Sequence, residues 1–210
     1  MKTLSILAVA LALAAAAGSA SASTYGGISV GEGMLPHASL PSVHVGVAHR
    51  FHGGVIVGVA GGGGSGDGIR SQGFAASIQT PSLHGPMGAR MALVGAVGGA
   101  ALTSPGDAWV QGLYTVGGVV VGVPISAHTS VSVSLASGRS FSASSSIALP
   151  NWGMTVDSTG SGRVERASIG ATVAFTPRVS AVVSDAYFRL DAGDGAIRSH
   201  RIALSLVERF

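Results

Sequence analysis

Two residues whose types and spacing could support catalysis stand close together in the chain, His128 and Ser130. Residues two apart on a β-strand share a face, so the imidazole could serve as a general base for the serine hydroxyl. A triad also requires a carboxylate that orients the histidine, and Asp157 and Glu165 are the candidate acids. A polar turn that enters a strand has the same composition. We therefore favour a protein without a catalytic centre and keep His128 and Ser130 as candidates for an enzymatic alternative.

The histidines do not have the spacing of a metal site. Four of them fall within a short stretch, namely His37, His44, His49 and His52. On a strand His44 and His49 differ in parity and face opposite sides, whereas His37 and His52 fall in connections at the two ends. Metal ligands must converge on one point. We therefore predict no metal site and no other cofactor.

A run of glycines, Gly61 to Gly64, is followed by Ser65, Gly66 and Asp67. A phosphate-binding loop requires a lysine after its glycines and a helix behind it, and neither follows here. The composition predicts a flexible, exposed loop from Gly61 to Asp67.

The first residues have the pattern of an export signal. Lys2 is followed by the apolar run Leu4 to Ala17, which is shorter than the roughly 20 residues of a membrane-spanning helix. Ala20, Ser21 and Ala22 fit a small-x-small cleavage site, which predicts a signal peptide at residues 1–22 and a mature domain at residues 23–210. The chain has no cysteine, which excludes disulfides and thiolate metal sites.

The composition is unusual for a soluble domain. Only 10% of the residues are charged, against roughly 25% in an average domain. Lys2 is the single lysine, so the mature chain has eleven arginines and nine acidic residues, a net charge too small to indicate nucleic-acid binding. An exported chain this apolar is expected in a membrane or around an unusually dry core.

Side-chain alternation indicates strands. Val131, Val133 and Leu135 alternate with Ser132 and Ser134, and the pattern continues through Leu149, which is typical of a sheet with one apolar face. Only closed barrels cross a bilayer with strands. We predict an all-β, closed, antiparallel up-and-down transmembrane β-barrel of about ten strands, with eight as the alternative. The predicted strands are Tyr25 to Gly31, Ser42 to Phe51, Gly54 to Ala60, Gly68 to Gln79, Gly88 to Ala100, Ala108 to Val123, Thr129 to Leu149, Arg163 to Phe175, Arg178 to Leu190 and Ile197 to Phe210.

Two details accompany this prediction. Asp185 fits neither face of its strand, which predicts a bulge between Arg178 and Leu190. Aromatic residues fall at both ends of the predicted strands, as in the interfacial girdles of outer-membrane barrels. The two sets are Phe51, Phe175 and Phe210 at the tight-turn end, and Trp109, Trp152, Tyr187 and Phe188 at the long-loop end.

The last strand ends in Phe210, which is preceded by apolar residues at every second position, Ile202, Leu204 and Leu206. This pattern resembles the C-terminal strand signature of small bacterial outer-membrane β-barrel proteins, a group with about eight to ten strands. Glu208 departs from the pattern, because the third residue from the end is usually aromatic or apolar. The resemblance implies recognition by the barrel-assembly machinery, a chain end in the periplasm, and a place in the outer membrane of a Gram-negative bacterium after export through the inner membrane.

If Val131 and Val133 face lipid, the interior receives small, uncharged residues. These are the serines of that strand together with Gly46, Ala48, Gly58, Ala60, Ser77, Ser168, Gly170, Thr172, Ala203 and Ser205. With almost no charged side chains at mid-barrel, we expect no salt-bridge plug. The interior is either narrow, with closely packed backbone, or holds water or a slim ligand.

Five arginines lie near the predicted long-loop ends of the strands, namely Arg70, Arg139, Arg163, Arg189 and Arg198. Guanidinium groups form bidentate hydrogen bonds with phosphates, so we expect these residues to contact lipopolysaccharide in the outer leaflet. The simpler interpretation is positive flanking of lipid-facing strands.

The sequence thus favours an integral outer-membrane barrel with a structural, adhesive or narrow-pore role, with outer-membrane lipid, lipopolysaccharide and the barrel-assembly machinery as partners. The first alternative is an enzyme that hydrolyses lipid A, because His128 and Ser130 form a His-x-Ser motif similar to that of outer-membrane lipid A deacylases. The second alternative is an exported, soluble β-sandwich that binds a ligand.

Overall fold

The computed structural model describes residues 23–35, 38–104, 108–149, 154–192 and 195–210. The predicted signal peptide, His37 and Trp152 lie outside these ranges. No helix in the described part of the chain is long and apolar enough to cross a membrane.

The fold is a closed, antiparallel barrel of ten strands, which confirms the predicted fold class and decides against eight strands. Two short strands, β5 (Leu83–His84) and β9 (Met154–Gly160), lie outside the barrel wall. The wall consists of β1 (Ser23–Leu35), β2 (Ala38–Arg50), β3 (Ile56–Gly66), β4 (Ile69–Gln79), β6 (Arg90–Thr103), β7 (Trp109–Pro124), β8 (Thr129–Leu149), β10 (Arg163–Ala174), β11 (Val179–Ala192) and β12 (Gly195–Arg209).

Two pairings close the barrel. β12 pairs with β1 along most of its length, from Tyr25 opposite Arg209 to Met34 opposite His200. β10 pairs with β8, from Arg163 opposite Arg139 to Val173 opposite Thr129. The upper part of β8 continues beyond this pairing and forms a separate hairpin with β9. β9 lies between Leu149 and Arg163, where the sequence predicted no strand.

Three tight turns lie at the same end of the barrel as Ser23 and Phe210. They join β2 to β3, β7 to β8 and β10 to β11. We call this end the terminus end and the opposite end the far end. Two of these turns are closed by hydroxyl groups that accept backbone N–H bonds. Ser126 Oγ accepts from the N–H groups of His128 and Thr129, and Thr176 Oγ1 accepts from those of Arg178 and Val179.

The glycine run belongs to β3 and is not a flexible loop, so that prediction is wrong. Gly61 to Gly64 pair with Val45 to Ser42 on one side and with Phe74 to Ser71 on the other. The neighbouring strands approach so closely that a Cβ on Gly62 would collide with the backbone of Val43 and His44. Glycine is required here for the close approach of the strands and not for mobility.

The bulge predicted near Asp185 is also wrong. β11 keeps regular register with both neighbours, and Asp185 faces outward opposite Ile202. The irregularity lies instead between β7 and β8, where Leu113 and Tyr114 pair with Ser142 and Ser140 and leave Phe141 as the extra residue. The bulge therefore reverses the alternation of β8 above Ser140.

An apolar belt surrounds the barrel. Side chains at alternate positions, including Val30, Leu135, Ile169 and Leu204, remain 51–57% exposed although they are large and hydrophobic. The residues between them face the interior, and the small residues that the sequence assigned there, such as Ser168, Ala203 and Ser205, are among them. Such a surface requires an apolar surrounding medium, because a soluble protein rarely exposes a continuous hydrophobic band.

Prediction: Gly112→Val destabilises the barrel, whereas Gly117→Val on the same strand does not. A Cβ on Gly112 would lie 3.2 Å from Leu190 Cδ2 and 3.3 Å from Ala143 Cβ, so a valine overpacks the interior by roughly 1–3 kcal/mol. Gly117 has no atom within 4 Å of its Cβ position and faces outward. Urea unfolding in detergent micelles, followed by tryptophan fluorescence, measures both. Equal midpoints for the two variants would contradict the assigned faces of β7.

Candidate functional site

The interior is closed toward the far end by a cluster of apolar side chains. Its buried members are Tyr114, Val116, Ala143, Val164 and Leu190, with Val110 and Phe188 among the residues packed against them. The rings of Tyr114 and Phe188 lie 5.4 Å apart between centroids. Phe188 therefore faces the interior. The sequence had predicted it in an outer aromatic girdle, and that prediction is wrong.

This closure results from the small residues on the inner face of β7. Gly112 has no side chain, so β7 approaches the opposite wall until Leu190 lies against it. The wall of the barrel is consequently concave on the outside. A groove of about 1310 Å³ follows β2 to β8, and outward-facing Val43, Val45, Phe74 and Leu113 are among its lining residues.

The middle of the interior contains charged side chains, contrary to the prediction that it would have almost none. Arg201 Nε donates to Ser42 Oγ at 3.0 Å, and its Nη2 donates to Ser29 Oγ at 2.9 Å. Arg166 faces inward opposite Phe188 and Ala136, next to the apolar cluster. Ser134 and Ser168, whose hydroxyls lie 2.7 Å apart, belong to the same inner surface.

Four of the five arginines that the sequence selected lie together on the outer surface at the far end, and we call Arg139, Arg163, Arg189 and Arg198 the arginine patch. Arg163 lies directly opposite Arg139, and Arg189 lies directly opposite Arg198. Like charges directly opposite on neighbouring strands destabilise a sheet. The fifth residue, Arg70, lies apart, at the edge of the groove opposite Thr103.

Two carboxylates balance part of the charge of the patch. Arg189 forms a bidentate pair with Asp191, at 2.9 and 3.2 Å, and Arg163 Nη2 lies 2.8 Å from Glu165 Oε1. Arg139 and Arg198 have no ion pair within the described residues. A pocket of about 550 Å³ opens beside Arg139 between β8 and β10, lined by Ser137, Gly138, Arg139, Ser161, Gly162 and Arg163. Its arginine, hydroxyl and glycine backbone groups are the donors that bind phosphate or sulfate oxygens.

Ser140 connects the strands beneath this pocket. Its buried hydroxyl accepts from the N–H of Gly162 at 2.6 Å and donates to the carbonyl oxygen of Asp191 at 3.1 Å. Nothing in the sequence distinguishes Ser140 from the other serines of β8, because its role depends on the bulge beside it. Ser140 thus connects the segment that follows β9 to the end of β11.

The catalytic candidates are not assembled into a triad among the described residues. His128 is exposed in the turn between β7 and β8, and Ser130 faces inward at the start of β8, both at the terminus end. Glu165 lies toward the far end and is bound to Arg163, and Asp157 lies in β9. In the part of the chain that the structure describes, no three His, Asp or Glu side chains converge as metal ligands.

The residues of the C-terminal signature lie on the outer face of β12. Ile202, Leu204 and Leu206 are each about half exposed, and Phe210 is 70% exposed at the terminus end. Glu208 shares their face and lies opposite Gly26.

No protein-family model matches the chain, and no curated protein matches it. Among solved structures, the outer membrane protease OmpT from Escherichia coli matches at 10% identity with a TM-score of 0.53, over 90% of this chain and 94% of that one. The translocator domain of the autotransporter NalP from Neisseria meningitidis matches at 12% identity with a TM-score of 0.46, over 100% and 98%. The attachment invasion locus protein Ail of Yersinia pestis matches at 12% identity with a TM-score of 0.39, over 90% and 97%. The likeness to OmpT shows a shared fold and carries no activity.

Prediction: the mature protein does not conduct ions, and removal of the apolar cluster opens it. In planar bilayers the unaltered chain should give no conductance steps, because Tyr114 and Leu190 fill the far part of the interior. The double variant Tyr114→Ala, Leu190→Ala should conduct, although its stability falls by roughly 4–10 kcal/mol, at about 2–5 kcal/mol for each large-to-small core change. The matched control Val183→Ala, Leu204→Ala changes the outer face only. Steady conductance of the unaltered protein would contradict the closed interior.

Proposed function

We propose that this protein is an integral outer-membrane barrel with a structural role, anchored in the outer leaflet by lipopolysaccharide phosphates bound at the arginine patch. The observation that carries the proposal is the placement of like charges on neighbouring strands. Arg139 lies opposite Arg163, and both line a pocket rich in hydrogen-bond donors, and Arg189 lies opposite Arg198 on the adjoining strands. A bound phosphate would relieve this repulsion. Four guanidinium groups against the carboxylates of Glu165 and Asp191 leave the patch positive.

The outer-membrane location is supported by the closed barrel, the apolar belt and the fold that the chain shares with OmpT. Export through the inner membrane and delivery to the barrel-assembly machinery are supported by the predicted signal peptide and by the outward alternation of Ile202, Leu204 and Leu206 up to Phe210. The same delivery places the terminus end in the periplasm and the arginine patch at the outer leaflet.

The other roles that the sequence left open have less support. A closed barrel with an apolar belt is incompatible with a soluble sandwich. The apolar cluster argues against a narrow pore. A lipid A hydrolase would require His128, Ser130 and an acid at the outer leaflet, whereas both residues lie at the terminus end.

Prediction: the double variant Arg139→Gln, Arg198→Gln binds lipopolysaccharide about tenfold more weakly than the unaltered protein. These two arginines have no carboxylate partner among the described residues, so their charge is available to a ligand. A lost charge-assisted hydrogen bond costs about 1.5–3 kcal/mol, reduced by solvent at this exposed site, and about 1.4 kcal/mol is tenfold. Titration of lipopolysaccharide into the mature protein in non-ionic detergent, followed by calorimetry, measures the affinity.

The matched control is Arg50→Gln, Arg178→Gln, which removes the same charge at the terminus end. This control should bind lipopolysaccharide as the unaltered protein does. Equal weakening in both double variants, or no weakening in the patch variant, would overturn the assignment of the patch.

A further inference from the structure

The arginines and the carboxylates of the barrel strands are separated between the two faces of the wall. Five arginines have inward-facing positions, namely Arg50, Arg90, Arg166, Arg201 and Arg209. Every carboxylate on a barrel strand within the described ranges faces outward, and these are Glu32, Glu165, Asp185, Asp191 and Glu208. The register of the strands determines this separation, because one strand position moves a side chain to the other face.

The inward arginines form two levels. Arg50, Arg90 and Arg209 are exposed at the mouth of the barrel at the terminus end. Arg166 and Arg201 lie deeper, next to the apolar cluster and in the middle of the wall. The inward residues between the two levels are small and partly exposed, Ser132, Gly170 and Thr172 among them. Water therefore reaches the interior from the terminus end, whereas the far end is closed.

The deeper level has donors that no protein acceptor uses. Arg201 donates from Nε to the hydroxyl of Ser42 and from Nη2 to the hydroxyl of Ser29. Its Nη1 has no protein partner within the described residues. Arg166 is exposed although it faces inward. His44 lies directly opposite Ser29 on the neighbouring strand and adds a ring nitrogen to the same surface.

Positive charge enclosed without a counter-charge is unfavourable, and arginine cannot lose its proton to escape this cost. No carboxylate on the described barrel strands faces the interior, so an anion from solution is the counter-charge that we consider. The donors of two guanidinium groups, one of them held by the hydroxyls of Ser29 and Ser42, match the oxygens of a tetrahedral oxyanion. The small residues between mouth and middle leave room for such an anion to enter.

We propose that the interior of this barrel is a blind cup, open only at the terminus end, that binds a small phosphate-like oxyanion between Arg166 and Arg201. The exposed arginines of the mouth attract the anion, and the deeper pair holds it. In the orientation of the proposed function, the cup faces the periplasm. Only this orientation of the cup, and not its binding of an anion, rests on the proposed function.

Calorimetric titration of inorganic phosphate into the mature protein tests the cup, in non-ionic detergent and at constant ionic strength maintained with sodium chloride. The unaltered protein should bind phosphate saturably. Arg166→Gln and Arg201→Gln should each weaken binding by about tenfold, the equivalent of about 1.4 kcal/mol. The control Arg70→Gln, which removes one charge from the outer surface away from both the patch and the interior, should bind phosphate as the unaltered protein does.

Arg90→Gln keeps the test decisive if the deeper variants fail to fold, because Arg90 is exposed at the mouth. This variant should retain the fold and bind phosphate more slowly and more weakly in stopped-flow measurements. A dissociation constant of about 10 mM corresponds to a binding free energy near 3 kcal/mol. If no saturable phosphate binding is detected below that concentration, the proposed anion site is wrong. Loss of phosphate binding in Arg70→Gln with binding intact in Arg201→Gln would also overturn it. Lipopolysaccharide binding at the patch can fail or succeed independently of either result.

Discussion

An apolar surrounding medium provides no partner for a backbone N–H or C=O group, so every strand of this wall must pair on both sides. That constraint determines the pairing of β10 with β8. β9 is the next strand after β8 in the chain, yet it pairs only with the part of β8 that lies beyond the pairing of β8 with β10. Had β9 entered the wall, Arg163 would not lie opposite Arg139, and the arginine patch would not exist.

The interior depends on the same closure. Glycine, alanine and serine on the inner face allow the walls to approach each other, as at Gly112 and Leu190, and the far end fills with apolar side chains. Below this plug the walls carry arginines and hydroxyl groups. The two ends of the interior therefore have opposite chemistry, and the carboxylates of the described barrel strands all lie on the outer surface. Whether a charged side chain of a strand faces the interior or the outside depends on whether its position in that strand is odd or even.

Much of this architecture could be predicted from side-chain alternation, and its failures have physical causes. β8 was evident because Val131, Val133 and Leu135 alternate with serines, whereas Gly61 to Gly64 have no side chains that could show a period. Parity already assigned Ala203 and Ser205 to the interior, and it assigns Arg201 there as well. The patch could not be found in this way, because the contact of Arg139 with Arg163 depends on pairing between strands that are not consecutive.

The closed barrel itself is tested most directly by the heat-modifiability of the mature protein from purified outer membranes. Boiled and unboiled samples are compared on a denaturing gel, with circular dichroism of the detergent-solubilised protein alongside. If the barrel is closed, the unboiled protein migrates differently from the boiled one and its spectrum is dominated by β-structure. Recovery of the protein from the soluble periplasmic fraction, with the same mobility before and after boiling, would contradict the closed barrel.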